Sequence, residues 1–412
     1  MLKRIRVEDV RLGMFIHGFA GSWLDHPFWR NRFLLDDPED LRRIRASAVR
    51  EVWIDVAQGA DVADDAVVTA EAPDAAEVES PAAVAAPRPA DLAPTPHDVE
   101  LQRAHRLLHS ARDAVASMFR DARMGRAIDR QVMQAVAADI ADSVTRNGGA
   151  LISLARLKTA DDYTYLHSVA VCALMVALAR QLGLPDEQAR AAGFAGLLHD
   201  VGKMDIPLEI LNKPGKLTDD EFAIVREHPR RGWQRLRDAG ITDDVALDVC
   251  LHHHERMDGK GYPDGLAGEA ITLVARMGAV CDVYDAITSN RPYKAGWDPA
   301  ESLKRMASWQ GHFDTRVFQA FVRSLGIYPT GSLVLLSNGR LAVVTEQSPD
   351  SLLKPVVKTV LSTRSGERVV PERIDLSAPG CRITIVQRED PAQWKIPDLD
   401  EIWSGIPGLG RA

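Results

Sequence analysis

Three consecutive histidines, His252, His253 and His254, run into the glycine-rich stretch ERMDGKGYPDG. The chain has only 12 histidines in 412 residues, so such a run asks for a reason. The plain reason is an exposed polar stretch. The chemical one is a metal site at a helix end, with a loop folded over it. Other residues bear on the choice. His199 and Asp200 are adjacent in LLHDVGKMDIP, and an adjacent imidazole and carboxylate can share one metal ion or bridge two. His228 stands just before Pro229, where a helix bends or stops. His167 lies near the start of YLHSVAVCALMVALARQLGL, which is apolar almost all round and reads as a buried helix. Asp282 and Asp285 are three apart on one helical face of the apolar stretch ITLVARMGAVCDVYDAITS. Buried there without partners they would be costly, so they call for a cation or for hydrogen-bond donors. Taken singly, each has an ordinary explanation: a satisfied core histidine, a chance pair, solvated charge. Taken together, imidazoles and carboxylates on several buried helices are what a pair of hard-to-borderline metal ions needs, whether Fe, Mn, Zn or Ni.

The elements that must position these groups are mostly helical. Residues 150–327 form the main helical domain. His199 and Asp200 end a helix starting near Asp186, with Gly202 suited to its stop. Thr218 and Glu221 have capping-box spacing ahead of the helix leading to His228. Residues 98–149 carry apolar residues at helical spacing, broken at RMGR, and read as a helical hairpin or as dimerising helices. Residues 1–56 read as a small α+β domain: RLGMFIHGF as strand or hairpin, PEDLRRIRAS as helix, REVWIDV as returning strand. Trp23, Phe28, Trp29 and Phe33 are expected in its core. Residues 57–97, rich in Ala, Pro, Asp and Glu, lack the apolar bulk to fold and read as a disordered linker. At 328–390 the pattern alternates, and Asn338-Gly339 between two apolar runs signals a hairpin in a small β appendage. Residues 391–412 read as a tail. The fold class is multidomain and mainly α.

Composition narrows the function. Hydrophobic residues at 46% and charged residues at 26% are ordinary for a folded chain. A net charge of −8 argues against a nucleic-acid polymer as partner, though a few local cations can hold a small anion. Cys172, Cys250, Cys281 and Cys381 are scattered, which disfavours disulfides and thiolate zinc sites. The start has no apolar signal core, and the run at 169–179 is short for a bilayer span, so no membrane association is expected and the reading is cytoplasmic.

The order HDVGK, NKPGKLTDDEF, EHPRRG, HHERMDGKGYPDGL, AVCDVYDAITSNRPY and Phe313-Asp314 resembles the HD-GYP subgroup of HD-domain metal phosphohydrolases over residues 160–325. LGMFI and SWLDHPF resemble a small domain often found ahead of such modules. The resemblance implies an all-helical core that hydrolyses cyclic di-GMP to linear pGpG, and onward to GMP, in bacterial second-messenger signalling. It implies two divalent ions, Fe or Mn, held by His167, His199, Asp200, His228, His253, His254 and Asp282, with Asp200 between them. His252 is then the spare. Asp200 and Lys203 would be catalytic, Lys203 beside the substrate phosphate. Gly261, Tyr262 and Pro263 would form a loop at the mouth of the site, open to signalling-protein partners, and Arg291 and Lys294 would hold the dinucleotide. Asp285 would orient a ligand histidine. Tyr163 stands where some relatives have a glutamate supporting a third metal; Asp161 and Asp162 are out of phase, so two metals are expected. Homodimerisation through the 98–149 helices is a further expectation. The alternatives are a catalytically weak cyclic di-GMP sensor or interaction module, and an HD phosphohydrolase of another nucleotide.

Overall fold

The computed structural model describes residues 2–20, 33–46, 50–61, 92–157, 163–213, 215–289, 296–348 and 351–409. Arg291, Lys294, Asp161, Asp162, Trp23, Phe28, Trp29, the side chains of Phe33 and Tyr163, and most of the expected linker lie outside them. The chain divides into two units, Met1–Arg88 and Pro89–Ala412.

Among the described residues, the first unit is an antiparallel sheet with one α-helix. Its strands are β1 (Leu2–Arg6), β2 (Phe15–Ala20), β3 (Phe33–Leu34) and β4 (Glu51–Asp55), in the order β1-β4-β2-β3, with α1 (Pro38–Ala46) between β3 and β4 in sequence. Period-two patterning explains β4: Val52 and Ile54 are fully buried, while Trp53 between them faces out. They join Val10, Met14, Ile16, Leu35 and Ile44 in one core. Strand β1 was not foreseen, because Lys3, Arg4 and Arg6 mask its single core contact, Ile5. Nor does the unit end at residue 56. Ala60 N donates to Gly13 O at 2.7 Å, and Lys3 pairs with Asp61 at 2.5 Å.

The second unit is a helical body followed by a sheet. Helices α2 (His97–Arg123) and α3 (Arg130–Arg146) pack on each other and on α4 (Ala150–Ala155), α5 (Tyr163–Gln181) and α6 (Asp186–Leu198) of the same chain. Buried Glu100 on α2 accepts from Ser143 at 2.8 Å and from Arg146 at 2.8 and 2.9 Å, locking the hairpin from inside. Helix α5 is the hub, meeting α2, α3, α4, α6, α11 (Leu273–Thr288) and α13 (Thr315–Leu325). It is long and apolar enough to cross a bilayer, longer than the run noted above, yet 72% of its Thr164–Gln181 window is buried inside the protein.

The remaining helices complete the body: α7 (Leu208–Leu211), α8 (Asp219–Arg226), α9 (His228–Asp238), α10 (Asp244–His252) and α12 (Pro299–Ser308). Both bonds of the Thr218–Glu221 capping box form at the start of α8. Pro229 occupies the first turn of α9, so the chain breaks at Glu227 and restarts with His228 at the helix head.

The sheet has order β8-β7-β6-β5-β9, all antiparallel, with β5 (Leu333–Leu336), β6 (Arg340–Glu346), β7 (Val356–Ser362), β8 (Arg373–Asp375) and β9 (Ile385–Arg388). Gly339 takes φ +79°, as the hairpin at Asn338-Gly339 demands. The segment after residue 390 is not a loose tail. It forms α14 (Pro391–Trp394) and α15 (Leu399–Ser404), and α15 docks on β6 because Ile396, Leu399, Trp403 and Ile406 are buried there.

Candidate metal centre

Four helix ends and one helix interior build the site. His167 comes from the first turns of α5; His199 and Asp200 follow α6; His228 heads α9; His253 and His254 follow α10; Asp282 and Asp285 lie within α11. Close backbone approach makes this possible. A Cβ on Gly202 would sit 1.9 Å from His228 O, and one on Gly232 would sit 2.7 Å from Cys250 Sγ. Gly202 is therefore not the helix-stopping glycine expected from the sequence. It has no left-handed backbone and is needed so that α9 can carry His228 up to Asp200.

The donor atoms fall into two sets. His167, His199, Asp200 and Asp282 form one, and Asp200, His228, His253 and His254 the other; within each set the ligand atoms lie within 4.8 Å of one another. Asp200 belongs to both. One of its oxygens, Oδ2, stands 3.4 Å from His167 Nε2 and 3.3 Å from His199 Nε2, while Oδ1 stands 3.3 Å from His228 Nε2 and 3.7 Å from His253 Nε2. His252 is outside the cluster, held by Asp248 at 2.7 Å and Asp264 at 3.2 Å.

The far nitrogens of four of the five rings are already committed. Nδ1 of His199 donates to Gly196 O at 2.8 Å, that of His228 to Val225 O at 2.7 Å, and that of His253 to Val249 O at 2.9 Å. His167 Nδ1 donates to Asp285 Oδ2 at 2.7 Å. In the neutral ring each of these bonds fixes the tautomer whose Nε2 lone pair faces the cluster. His199 Nε2 and Asp200 Oδ1 are buried without a hydrogen-bond partner, a cost that a cation would relieve. The donor set thus fits divalent metal ions.

Charge gives the same reading. Burial alone would pull His167 down, but Asp200, Asp282 and Asp285 push it up to about 10. Burial likewise opposes ionisation of Asp200, yet His199 and Lys203 hold it well below the usual carboxylate range; Asp282 is held down mainly by His167 and His199. The carboxylate side of the cluster demands positive charge. On the other side burial lowers His253 to about 4, and burial with His253 beside it lowers His254 well below the ordinary imidazole value, so both are neutral donors.

The rim comes from Lys203, α8 and the loop at 255–265. Lys203 Nζ meets Asp200 Oδ2 at 2.5 Å and is partly exposed. Tyr262 stacks on the His254 ring at 4.7 Å, and the Arg226 guanidinium covers Tyr262 at 4.9 Å. Phe222 meets the same ring edge-on at 6.4 Å. A Cβ on Gly261 would lie 2.4 Å from Glu255 Cα, so only glycine lets the loop settle on the backbone of His254 and Glu255. Pro263 follows through a cis peptide bond. Glu255 Oε1 accepts from Asp264 N at 2.7 Å and Gly265 N at 3.0 Å, pinning the loop. Glu255, Arg226 and Phe222 were missed in the sequence. For Glu255 the signal was a carboxylate directly after two candidate ligands; α8 gave none, since its residues look like an ordinary exposed helix. A pocket of about 340 Å³ opens here between Arg226, Lys260, Tyr262 and His254.

Comparison with known proteins matches residues 2–132 to a domain of unknown function, DUF3391, and residues 140–317 to the HD domain. The chain is 56% identical to cyclic di-GMP phosphodiesterase PA4108 of Pseudomonas aeruginosa, over 98% of this chain and 96% of that one. It is 47% identical to the cyclic di-GMP phosphodiesterase response regulator RpfG of Xanthomonas campestris, over 35% of this chain and 39% of the relative. To 3'3'-cGAMP-specific phosphodiesterase 1 of Vibrio cholerae it is 38% identical, over 39% of this chain and 38% of the relative.

Proposed function

Because the chain belongs to the HD-GYP family of HD-domain cyclic di-GMP phosphodiesterases, we propose that it hydrolyses cyclic di-GMP to linear pGpG, at a centre of two divalent ions, iron or manganese. His167, His199, Asp200 and Asp282 would hold one ion, and Asp200, His228, His253 and His254 the other. Bound there, the ions would supply Lewis acidity and a hydroxide at neutral pH. The chain's own residues do the rest. Asp200 and Asp282 contribute two negative charges, which leaves a doubly occupied centre cationic and attractive to a phosphodiester. Lys203, beside Asp200, faces a phosphate oxygen and offsets the charge that grows on it during attack. Tyr262, held by His254 and Arg226, lines the mouth of the site, where its ring edge and the Arg226 guanidinium can meet a guanine. Arg291 and Lys294 would hold the dinucleotide's remaining charge. Protein partners would meet the outer side of the 261–265 loop.

The observation that carries this reading is the pair of donor sets joined through one carboxylate, with four of the five ring tautomers fixed from behind. The test is anaerobic purification, loading with Fe or Mn, metal analysis, and product release from cyclic di-GMP beside 3'3'-cGAMP and linear nucleotides. We expect close to two metals per chain and pGpG from cyclic di-GMP first. A fully loaded protein that binds cyclic di-GMP and releases no product would establish a sensor instead.

A further inference from the structure

Away from the metal centre, a cavity of about 480 Å³ opens where the helical body meets the C-terminal sheet. That volume lies within the range of small-molecule sites, roughly 300–1,000 Å³. Leu174, Tyr284 and Leu352 give it an apolar wall. Its polar groups are unusual. His97 is 7% exposed; its Nδ1 donates to Asn147 Oδ1 at 3.1 Å, which leaves its buried Nε2 as an acceptor with no partner. Arg156 lines the cavity with its guanidinium laid against Gly331, where a Cβ would come within 2.3 Å of Nη2. Neither Arg156 nor Arg323, which stands in the exposed last turn of α13, has an ion pair among the described residues. The acids that share the cavity are engaged elsewhere: Glu346 with Arg373 at 3.1 Å, Asp285 with His167 at 2.7 Å. Two arginines without an anion, beside an apolar wall and a buried acceptor at His97, are a recognition set for a small organic anion that also carries a hydrogen-bond donor.

We propose that this cavity is a second ligand site, taking a small organic anion, phosphate- or carboxylate-bearing, and that its occupancy is felt at the metal centre through Asp285. Asp285 lines the cavity and also fixes the ring of His167, so it belongs to both sites. An anion drawn against Arg156 brings negative charge towards Asp285. It alters how firmly that carboxylate holds the His167 ring, and with it the metal-facing nitrogen.

The test is calorimetric titration of the metal-loaded full chain with GMP, inorganic phosphate and succinate, beside turnover measured with each. At least one probe should bind saturably, and turnover should change about fivefold or more. Binding should persist in Asp200→Ala, which separates it from the metal centre. Arg156→Met should lose both binding and response while keeping basal turnover and melting temperature; Arg156→Lys, which keeps the charge, should retain part of the response. A preference for GMP would identify a nucleotide site, and a preference for succinate a carboxylate site. Failure of all three probes to bind, or a response unchanged in Arg156→Met, would overturn the site. Binding with no effect on turnover would overturn the coupling to Asp285. Calorimetric binding is read without reference to the substrate, so a wrong substrate assignment would not be mistaken for an empty cavity.

Discussion

Two of the places where the helical body covers carboxylates treat them in opposite ways. At the metal centre Asp200 and Asp282, almost fully buried, are held ionised by His199, Lys203 and His167. On α3, Asp139 is also largely covered and its Oδ2 has no partner, but burial, reinforced by Asp142, pushes it up to about 7. Arginines are near Asp139 too. They are spent on other acids: Arg190 pairs with Asp142 at 2.5 Å and Arg146 with Glu100 at 2.8 Å. Burial does not make a carboxylate a ligand. What distinguishes the centre is a surrounding set of neutral or cationic donors, four of them imidazoles whose other nitrogen is already committed.

The largest effect should come from removing the group on which both donor sets depend. Asp200→Ala should lose metal from both sets and lower turnover about a thousandfold, equivalent to about 4 kcal/mol of barrier. Helical circular dichroism should be largely kept. An Asp200→Ala protein with full metal content and full activity would end the comparison. Next, His254→Ala and Asp282→Ala test the two sides separately. His254 is a neutral donor with a side chain 20% exposed, whereas Asp282 brings charge from a buried position. The first should therefore keep one ion per chain and the second should weaken metal binding more, as read by metal content during graded chelation. Equal losses would mean that the centre does not divide as its charges suggest. Smaller again is Asp285→Asn, which keeps the shape and removes the charge behind His167. A loss of about 10–100-fold in metal affinity or activity is expected, and an unchanged affinity would relegate that contact to packing.

Much of the centre was legible because its residues break local expectation. Charged or polar groups inside apolar helices, as at His167, Asp282 and Asp285, announce that something must satisfy them. The boundary at Glu227 followed from Pro229, and the hairpin from Asn338-Gly339. What stayed hidden depends on closeness between distant segments. Gly202 looks like a helix stop until α9 is seen to touch it. Arg226 and Phe222 look like solvent-facing residues until Tyr262 arrives from a loop some 36 residues away. Strand β1 is hidden by its own arginines, and the docking of α15 by the short, interrupted pattern of its apolar residues. The cavity between Arg156 and the sheet is a product of folding that no local period records.

The smallest expected effect returns to Asp139 and gives the comparison its control. A carboxyl group that ionises near 3.8 when unfolded and near 7 when folded binds a proton in the native state that the unfolded chain has already lost between those values. Stability from this group is therefore intact in acid and falls as pH rises from about 4 to about 7. Above that range the native state carries a buried charge with no dedicated cation. Asp139→Asn removes the charge and keeps the shape, so it should stabilise the chain at pH 8 by on the order of 1–2 kcal/mol and by little at pH 5. Melting temperature against pH for the full chain is the measurement. The wild-type curve should slope downward relative to the variant across that window. Parallel curves would mean that solvent or a neighbouring arginine already serves Asp139. The contrast with the metal centre would then rest on the choice of donors alone, and not on how each site handles a buried charge.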